Sequence, residues 1–229
     1  MCYKRRDMMK VETNNKLQLN KKSNISMVIV FISILIFTYL AISIKEGSSF
    51  IIDAFASSIV DMIETEMLTA IMIGFTSLGS KAGIISMFLL GLLWAGIRYR
   101  HYAPLLGLVI TVAGGDFLNK KFKSLVGRDR PLINNEVEGV GHSFPSGHAM
   151  VALAFYGFLA YLIIMQLKKS SHKTIVVISV SIMILFIGLS RVYLHVHYLT
   201  DVIGGFAAGI AVLGLTVLLV NLLAPKLKR

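Results

Sequence analysis

The sequence has 229 residues, of which 55% are hydrophobic and only 15% are charged. This composition is too apolar for an ordinary soluble domain and indicates a membrane protein with several spans. The net charge of +11 does not indicate nucleic-acid binding, because most basic residues flank apolar stretches, as membrane topology requires, and anionic lipid head groups are the expected partners.

Residues 1–26 are polar and basic and lack hydrophobic periodicity, which predicts a disordered cytoplasmic tail. The apolar run that follows has no small-residue cleavage site, so we interpret it as a retained anchor and not as a signal peptide. The single cysteine, Cys2, excludes an internal disulfide and a cysteine metal cage. Residues 27–224 form one predicted membrane domain, and residues 225–229 form a second basic tail.

A spanning helix needs about 20 apolar residues. Six apolar stretches occur in the chain, at residues 27–44, 82–97, 103–115, 149–167, 174–189 and 202–224. The first, fourth and sixth are long enough alone, whereas the others need polar ends, and residues 116–121 extend the third. The sequence therefore predicts an all-α membrane helix bundle of about six transmembrane helices, with five or seven as alternatives.

Residues 48–67, between the first two stretches, carry apolar and polar side chains on different helical faces. The apolar set is Ile52, Phe55, Ile59, Met62 and Ile63, and the polar set is Asp53, Ser57, Asp61 and Glu64. This pattern predicts an amphipathic helix in the membrane interface. A helix packed against the spans is an equal alternative.

The distribution of Lys and Arg predicts the orientation, because cytoplasmic loops carry an excess of them. With both termini in the cytoplasm, the cytoplasmic segments hold most of the basic residues, and the acidic residues of 46–66 lie outside. We therefore expect a multi-pass protein of the cytoplasmic (plasma) membrane.

Two polar segments, 120–148 and 190–201, are not explained by topology, and both fall at the predicted outer face. Lys123, Arg130 and Arg191 supply three cations suited to phosphate oxygens. Ser146 and Gly147 directly precede a predicted helix, where free N–H groups and the helix dipole favour an anion. We interpret these residues as a phosphate site; an ordinary helix cap beside interfacial arginines is the alternative.

Histidines strengthen this interpretation. His197 and Asp201 lie four residues apart, so on a helix the carboxylate can hold one ring N–H and leave the other nitrogen as nucleophile or base. His148 is a candidate for a second proton-transfer group. A metal set of His195, His197 and Asp201 is disfavoured, because residues two apart do not share a helix face and the nearby cations oppose a divalent ion. We expect neither a metal ion nor a cofactor.

These residues resemble the type 2 phosphatidic acid phosphatase superfamily of integral membrane lipid phosphatases. Its three signatures correspond here to Lys123 through Arg130-Pro131, to Pro145 through His148, and to Ser190-Arg191 through His197 and Asp201. The resemblance covers residues 110–210 directly.

The resemblance implies a role for each matched residue. His197 is the implied nucleophile that becomes a phosphohistidine, Asp201 orients it, and His148 protonates the leaving oxygen and later activates water. The implied holders of the phosphate oxygens are Lys123, Arg130, Arg191, Ser146 and the Gly147 backbone. The reaction then needs no metal, because phosphoryl transfer relies mainly on positioning and charge neutralisation.

Several polar residues near the signatures have no implied catalytic role. Asn119, Arg128, Asp129 and His142 are expected to be solvated or to support the site from outside. For Ser190 we expect only a hydrogen bond to a neighbour, and Asp116 is expected to pair with Lys120 one turn on.

The expected activity is hydrolysis of a lipid phosphate or diphosphate at the outer leaflet, with undecaprenyl diphosphate, phosphatidylglycerol phosphate and phosphatidic acid as candidates. An outward-facing site fits the carrier diphosphate best, because that carrier is dephosphorylated on that face. Two alternatives are a lipid phosphotransferase with the same phosphohistidine and a non-catalytic protein that binds or transports a lipid head group. A vanadate-dependent peroxidase is disfavoured, because the chain is buried in the membrane.

Overall fold

A computed structural model describes residues 25–99, 101–131 and 141–224, and the described chain is helical without strands. The predicted tails lie outside the described residues, except that residues 25 and 26 already belong to the first helix. The helices are α1 Ile25–Lys45, α2 Ile51–Ile63, α3 Glu66–Gly79, α4 Lys81–Arg98, α5 Ala103–Val109, a π-helical segment Ile110–Gly114, α6 Gly115–Val126, α7 Gly147–Gln166, α8 Ser170–Tyr193 and α9 Leu199–Leu223. The predicted all-α membrane fold is confirmed.

Five helices of the described chain are long and apolar enough to cross a membrane, namely α1, α4, α7, α8 and α9. The predicted third span is divided among α5, the π-helical segment and α6. The backbone stays right-handed helical at both junctions, with φ −62° and ψ −45° at Val109 and φ −61° and ψ −47° at Gly115. These three segments therefore form one continuous helix at the position of the predicted third span. The count of six spans stays a prediction beside the five helices named above.

The predicted amphipathic helix is shorter than expected, and a further helix follows it. Glu64 and Thr65 are extended, and the Thr65 hydroxyl accepts a hydrogen bond from the Leu68 N–H, which starts α3. The apolar face of α2 is exposed, with Phe55 at 64% and Met62 at 82%. Its opposite side packs on the bundle through buried Asp53 and Val60. Each of the two alternatives therefore fits one face of α2: the exposed apolar face fits a helix in the membrane interface, and the buried face fits a helix packed against the spans.

Close contact between α7 and α9 aligns the two ends that build the site. A Cβ at Gly205 would lie 2.7 Å from the Ser146 carbonyl oxygen, and one at Gly209 would lie 2.8 Å from that of Met150. These glycines let the two backbones approach as small residues do between membrane helices. At the N-terminal ends, the Ser146 N–H donates to the Asp201 carbonyl at 3.0 Å.

The N-termini of α7 and α9 lie at the end of the bundle opposite the first residues of α1. Ile44, near the end of α1, packs in one cluster with Phe144, which precedes α7. Val30, near the start of α1, instead approaches Gly214 in the second half of α9. The start of α1 and the end of α9 therefore lie at the other end of the bundle from the N-termini of α7 and α9.

Candidate active site

The turn between α8 and α9 places His197 at the N-terminus of α9. His195 adopts a left-handed conformation with φ +54°, which is uncommon for a residue other than glycine. The N–H groups of Val196 and His197 then both donate to the Arg191 carbonyl, at 3.2 and 3.1 Å. The His197 side chain is consequently buried, with only 3% of the residue exposed.

Asp201, in the first turn of α9, holds the proximal ring nitrogen of His197. Its Oδ2 lies 3.3 Å from His197 Nδ1, and it also accepts the Tyr198 N–H at 2.9 Å and the Ser143 hydroxyl. Its Oδ1 accepts a hydrogen bond from Arg128 at 2.6 Å. Both carboxylate oxygens therefore accept hydrogen bonds, and Asp201 and His197 form the predicted pair.

The other ring nitrogen of His197 faces Arg130. The Arg130 guanidinium donates to His197 Nε2 at 3.2 Å; since a guanidinium has no acceptor, Nε2 must carry the lone pair. Burial lowers the pKa of His197 to about 3, with Arg130 and Lys123 acting in the same direction and Asp201 opposing them. His197 is thus a neutral imidazole whose Nε2 lone pair accepts a hydrogen bond from Arg130.

Backbone carbonyls position two of the predicted phosphate-binding cations. Arg130 donates to the Val196 oxygen at 2.7 Å and to the Gly141 oxygen at 2.8 Å. Lys123 donates to the His142 oxygen at 2.6 Å. These carbonyl contacts orient both cations beside His197.

Arg191 enters the site from the last turn of α8. It is only 1% exposed, and its Nη1 donates to the Thr76 hydroxyl of α3 at 2.7 Å. Helix α3 thus forms one wall of the site, a contribution that the sequence analysis missed.

Ser146 caps α7 as predicted, and its hydroxyl accepts the Ala149 N–H at 3.4 Å. Asn119, which has no role in the signatures, is buried and donates to the Pro145 carbonyl at 3.1 Å. A Cβ at Gly147 would lie 2.9 Å from Asn119 Oδ1. Asn119 therefore supports the loop that ends in Ser146 and Gly147.

His148 occupies the second position of α7 and packs against α3. Its Cδ2 would lie 2.9 Å from a Cβ at Gly79. It directly follows Gly147, so it lies at the same end of α7 as Ser146 and Gly147. The structure therefore brings all eight predicted site residues to one end of the bundle.

Some nearby residues lie outside this cluster. His195 faces α2, with its Nε2 3.6 Å from Asp61 Oδ1, so the alternative metal set is not assembled. Within the described ranges, no three His, Cys, Asp or Glu side chains are grouped to hold a metal ion. Asp129 and His142 are exposed. The expected Asp116–Lys120 pair is formed at 2.6 Å, and Ser190 donates to the Ile187 carbonyl at 2.7 Å.

Three residues outside the predicted catalytic and phosphate-binding set contact this machinery, and for Arg128 this is the supporting position that the sequence analysis expected as one alternative. Ser143 and Arg128 bind Asp201 directly, and Asp53 of α2 binds Arg128 at 2.8 Å. Arg128 lies between Lys123 and Arg130 of the first signature, and Ser143 lies two residues before the second, so proximity to a motif was an available signal. Asp53 lies far from the signatures in sequence, and the amphipathic pattern of residues 48–67 did not link it to the site.

Comparison with known proteins agrees with this arrangement. The PAP2 superfamily model matches residues 104–224, which include all three signatures. Phosphatidylglycerophosphatase B of Bacillus subtilis (strain 168) is 34% identical over 178 residues, which cover 77% of this chain and 87% of that protein. The crystal structure of a transmembrane PAP2 type phosphatidylglycerolphosphate phosphatase from Bacillus subtilis matches with a TM-score of 0.75 and 30% identity, covering 87% of this chain and 98% of that one. The resemblance found in the sequence is confirmed: the chain belongs to the PAP2 superfamily and is a membrane lipid phosphate phosphatase.

Proposed function

We propose that this phosphatase hydrolyses the phosphate monoester of phosphatidylglycerol phosphate at the outer face of the membrane, through a phosphohistidine on His197. The observation that carries the mechanism is the neutral Nε2 of His197, 3.2 Å from the Arg130 guanidinium. The names of both relatives support the choice of lipid.

In the first step, Nε2 attacks phosphorus and the bond from phosphorus to the glycerol oxygen breaks. His148 gives its proton to that oxygen, and the alcohol leaves. Asp201 stabilises the positive charge that develops on the ring, because its Oδ2 holds Nδ1.

In the second step, His148 takes a proton from water, and the resulting hydroxide attacks phosphorus. The bond from phosphorus to Nε2 breaks, and inorganic phosphate leaves. His197 returns to its neutral form and His148 to its protonated form, so the cycle balances.

Lys123, Arg130 and Arg191 hold the non-bridging oxygens in both steps. Their bonds to backbone carbonyls and to Thr76 keep them near His197 before the phosphate arrives. Fixed charges of this kind stabilise the transition state without reorganisation. The Ser146 hydroxyl and the Gly147 N–H complete the seat at the start of α7.

The outer placement of the site is supported by the basic residues at the opposite end of the bundle. Tyr99, just after Arg98, donates to the Leu162 carbonyl near the end of α7, so Arg98 lies at the end of the bundle away from the site. The basic residues of 168–173 follow that end of α7, and cytoplasmic segments are those enriched in Lys and Arg. A single-cysteine series tests this placement, with Cys2 replaced by Ser. A membrane-impermeant thiol reagent on intact cells should label a cysteine at exposed Ser124, beside the site, and spare one at exposed His172. The reverse pattern would contradict the placement.

A panel of lipid phosphates in detergent with a chelator tests the substrate, with His197→Ala as the inactive control. We expect phosphatidylglycerol phosphate to show the highest kcat/KM. Undecaprenyl diphosphate is the second candidate, because an outward-facing site gives access to it; its faster turnover would replace the first assignment. Label passing to an acceptor lipid with little free phosphate would indicate the phosphotransferase instead. Lipid binding without release of phosphate and without labelling of an acceptor lipid would indicate a non-catalytic head-group-binding protein.

A further inference from the structure

Asp53 is a buried carboxylate of α2 that binds the N-terminus of α9. It is 7% exposed. Its Oδ1 accepts the Thr200 N–H at 2.8 Å, and its Oδ2 accepts the Thr200 hydroxyl at 2.7 Å. The first N–H groups of a helix have no partner within the helix, and the helix dipole favours a negative charge there. Asp53 therefore caps α9 from a different helix.

Arg128 joins Asp53 to Asp201, the partner of the nucleophile. Its Nη2 donates to Asp53 Oδ2 at 2.8 Å, and its Nη1 donates to Asp201 Oδ1 at 2.6 Å. The guanidinium also lies 3.9 Å from the centre of the Tyr198 ring, and the side chain is 13% exposed. Because the guanidinium is a rigid planar fork, one arginine contacts both carboxylates in a fixed geometry, which a lysine cannot reproduce.

This bridge limits the orientations of Asp201. With Oδ1 bound to Arg128, Oδ2 is the oxygen that faces His197 Nδ1. Rotation of the carboxylate would break a charged hydrogen bond in a buried setting, which is costly. The hydrogen bonds thus run without interruption from α2 to the nucleophile, through Asp53, Arg128, Asp201 and His197.

We propose that the Asp53–Arg128 pair is a positioning device for the phosphatase reaction, which locks Asp201 and thereby sets the ring of His197 for attack. This inference rests on the proposed role of His197. The hydrogen bonds of Arg128 go to Asp53, Thr200 and Asp201, whereas Lys123, Arg130 and Arg191 hold the phosphate. Loss of the pair therefore slows phosphoryl transfer and leaves substrate binding nearly intact.

Steady-state kinetics of Asp53→Asn, Arg128→Gln and the double variant test the pair. We expect each single variant to lower kcat about 10-fold while KM changes less than about twofold. Because both residues act through one contact, the double variant should lose no more than about the loss of Arg128→Gln alone. Asp61→Asn is the matched control: Asp61 also lies on α2, is 64% exposed and pairs with His195, and its kcat should match the wild type.

Removing one partner of a buried ion pair can unfold a protein, so thermal unfolding is measured alongside, and Arg128→Lys provides a variant that keeps the charge. It should fold and bind substrate normally but still lose kcat, because lysine cannot hold both carboxylates. The inference would be overturned by wild-type kcat in both Arg128→Lys and folded Asp53→Asn. It would also be overturned if the variants changed only KM, or if the losses of the two single variants multiplied fully in the double variant. His197→Ala in the same assay separates the two proposals, because its activity would refute the nucleophile itself.

Discussion

Arg130 donates a hydrogen bond to Nε2 of His197 at 3.2 Å, whereas Asp201 binds the other ring nitrogen, Nδ1. This contact defines the tautomer: Nδ1 carries the proton toward Asp201, and Nε2 carries the lone pair. A phosphate that enters can exchange places with Nε2 as the acceptor of the Arg130 hydrogen bond. In the proposed mechanism, substrate binding would therefore free the Nε2 lone pair for attack on phosphorus.

Asp201→Asn should disable attack while the fold and binding persist. Asparagine can turn its NH₂ group toward Nδ1, which favours the tautomer with the proton on Nε2. We expect kcat to fall by about 10² to 10⁴-fold with KM nearly unchanged, as for carboxylates that orient a histidine in triads. Steady-state hydrolysis of a lipid phosphate in detergent measures this, and a kcat within about threefold of wild type would contradict the orienting role.

Ser143→Ala should show that the serine outside the signatures contributes to the reaction. Its hydroxyl donates to Asp201 and lies 3.3 Å from His197 Nδ1. Its loss leaves Asp201 with one donor fewer, and we expect kcat to fall about 5- to 10-fold. Ser58→Ala, which removes an exposed hydroxyl bound to the Phe55 carbonyl, is the matched control and should be neutral. Equal activity of both variants would refute the contribution of Ser143.

Gly79→Ala should disturb the proton-transfer side of the site. The added Cβ would lie 2.5 Å from Ile187 Cγ2 and 2.9 Å from His148 Cδ2, so neighbouring side chains must shift. We expect a destabilisation of about 1–3 kcal/mol together with a reduced kcat.

Gly74→Ala is the control on the same helix, since a Cβ there meets no heavy atom within 4 Å. Thermal unfolding and turnover are compared for both variants. Similar unfolding temperatures and rates would show that His148 and Ile187 tolerate the added methyl group.

Acid should destabilise the folded protein through His197. Burial holds the pKa of this ring at about 3, against an ordinary value of 6.5, so the unfolded chain takes up a proton there that the folded chain does not. This destabilisation by His197 is absent above the ordinary pKa. As the pH drops from that value toward 3, the free energy of unfolding falls by about 1.4 kcal/mol per pH unit at most.

Thermal unfolding in detergent at about pH 7 and about pH 5 checks this sign. His197→Gln lacks the titrating ring, so its unfolding temperature should depend less on pH than that of the wild type. Parallel pH dependence in the two proteins would contradict a depressed pKa at His197.

The spans and signature residues were predictable because local patterns specify them. Apolar runs report membrane spans whatever their neighbours are, and the spacing from His197 to Asp201 is one helical turn. The third apolar stretch was recognisable although it contains a π-helical segment, since residues 103–115 are predominantly apolar.

Asp53 and Thr76 could not be predicted because their roles arise from tertiary packing. The pattern of α2 placed Asp53 on a polar face, which usually faces water; here that face turns to the N-terminus of α9, and the apolar face is the exposed one. Helix α3 is not evident from the sequence, because its start depends on the Thr65 cap, and Thr65 lies within the stretch predicted to form one helix. The spacing of residues in the sequence does not show that Asp53 binds the N-terminus of α9 or that Thr76 binds Arg191.

The most direct test of the central claim is to trap the phosphoryl enzyme. His148→Ala, incubated with a radiolabelled lipid phosphate that has a good leaving group and then quenched in base, should retain label on the peptide that contains His197. The label should be acid-labile, and the variant that also carries His197→Ala should retain none. Label on another residue, or full turnover by His197→Ala, would contradict the mechanism.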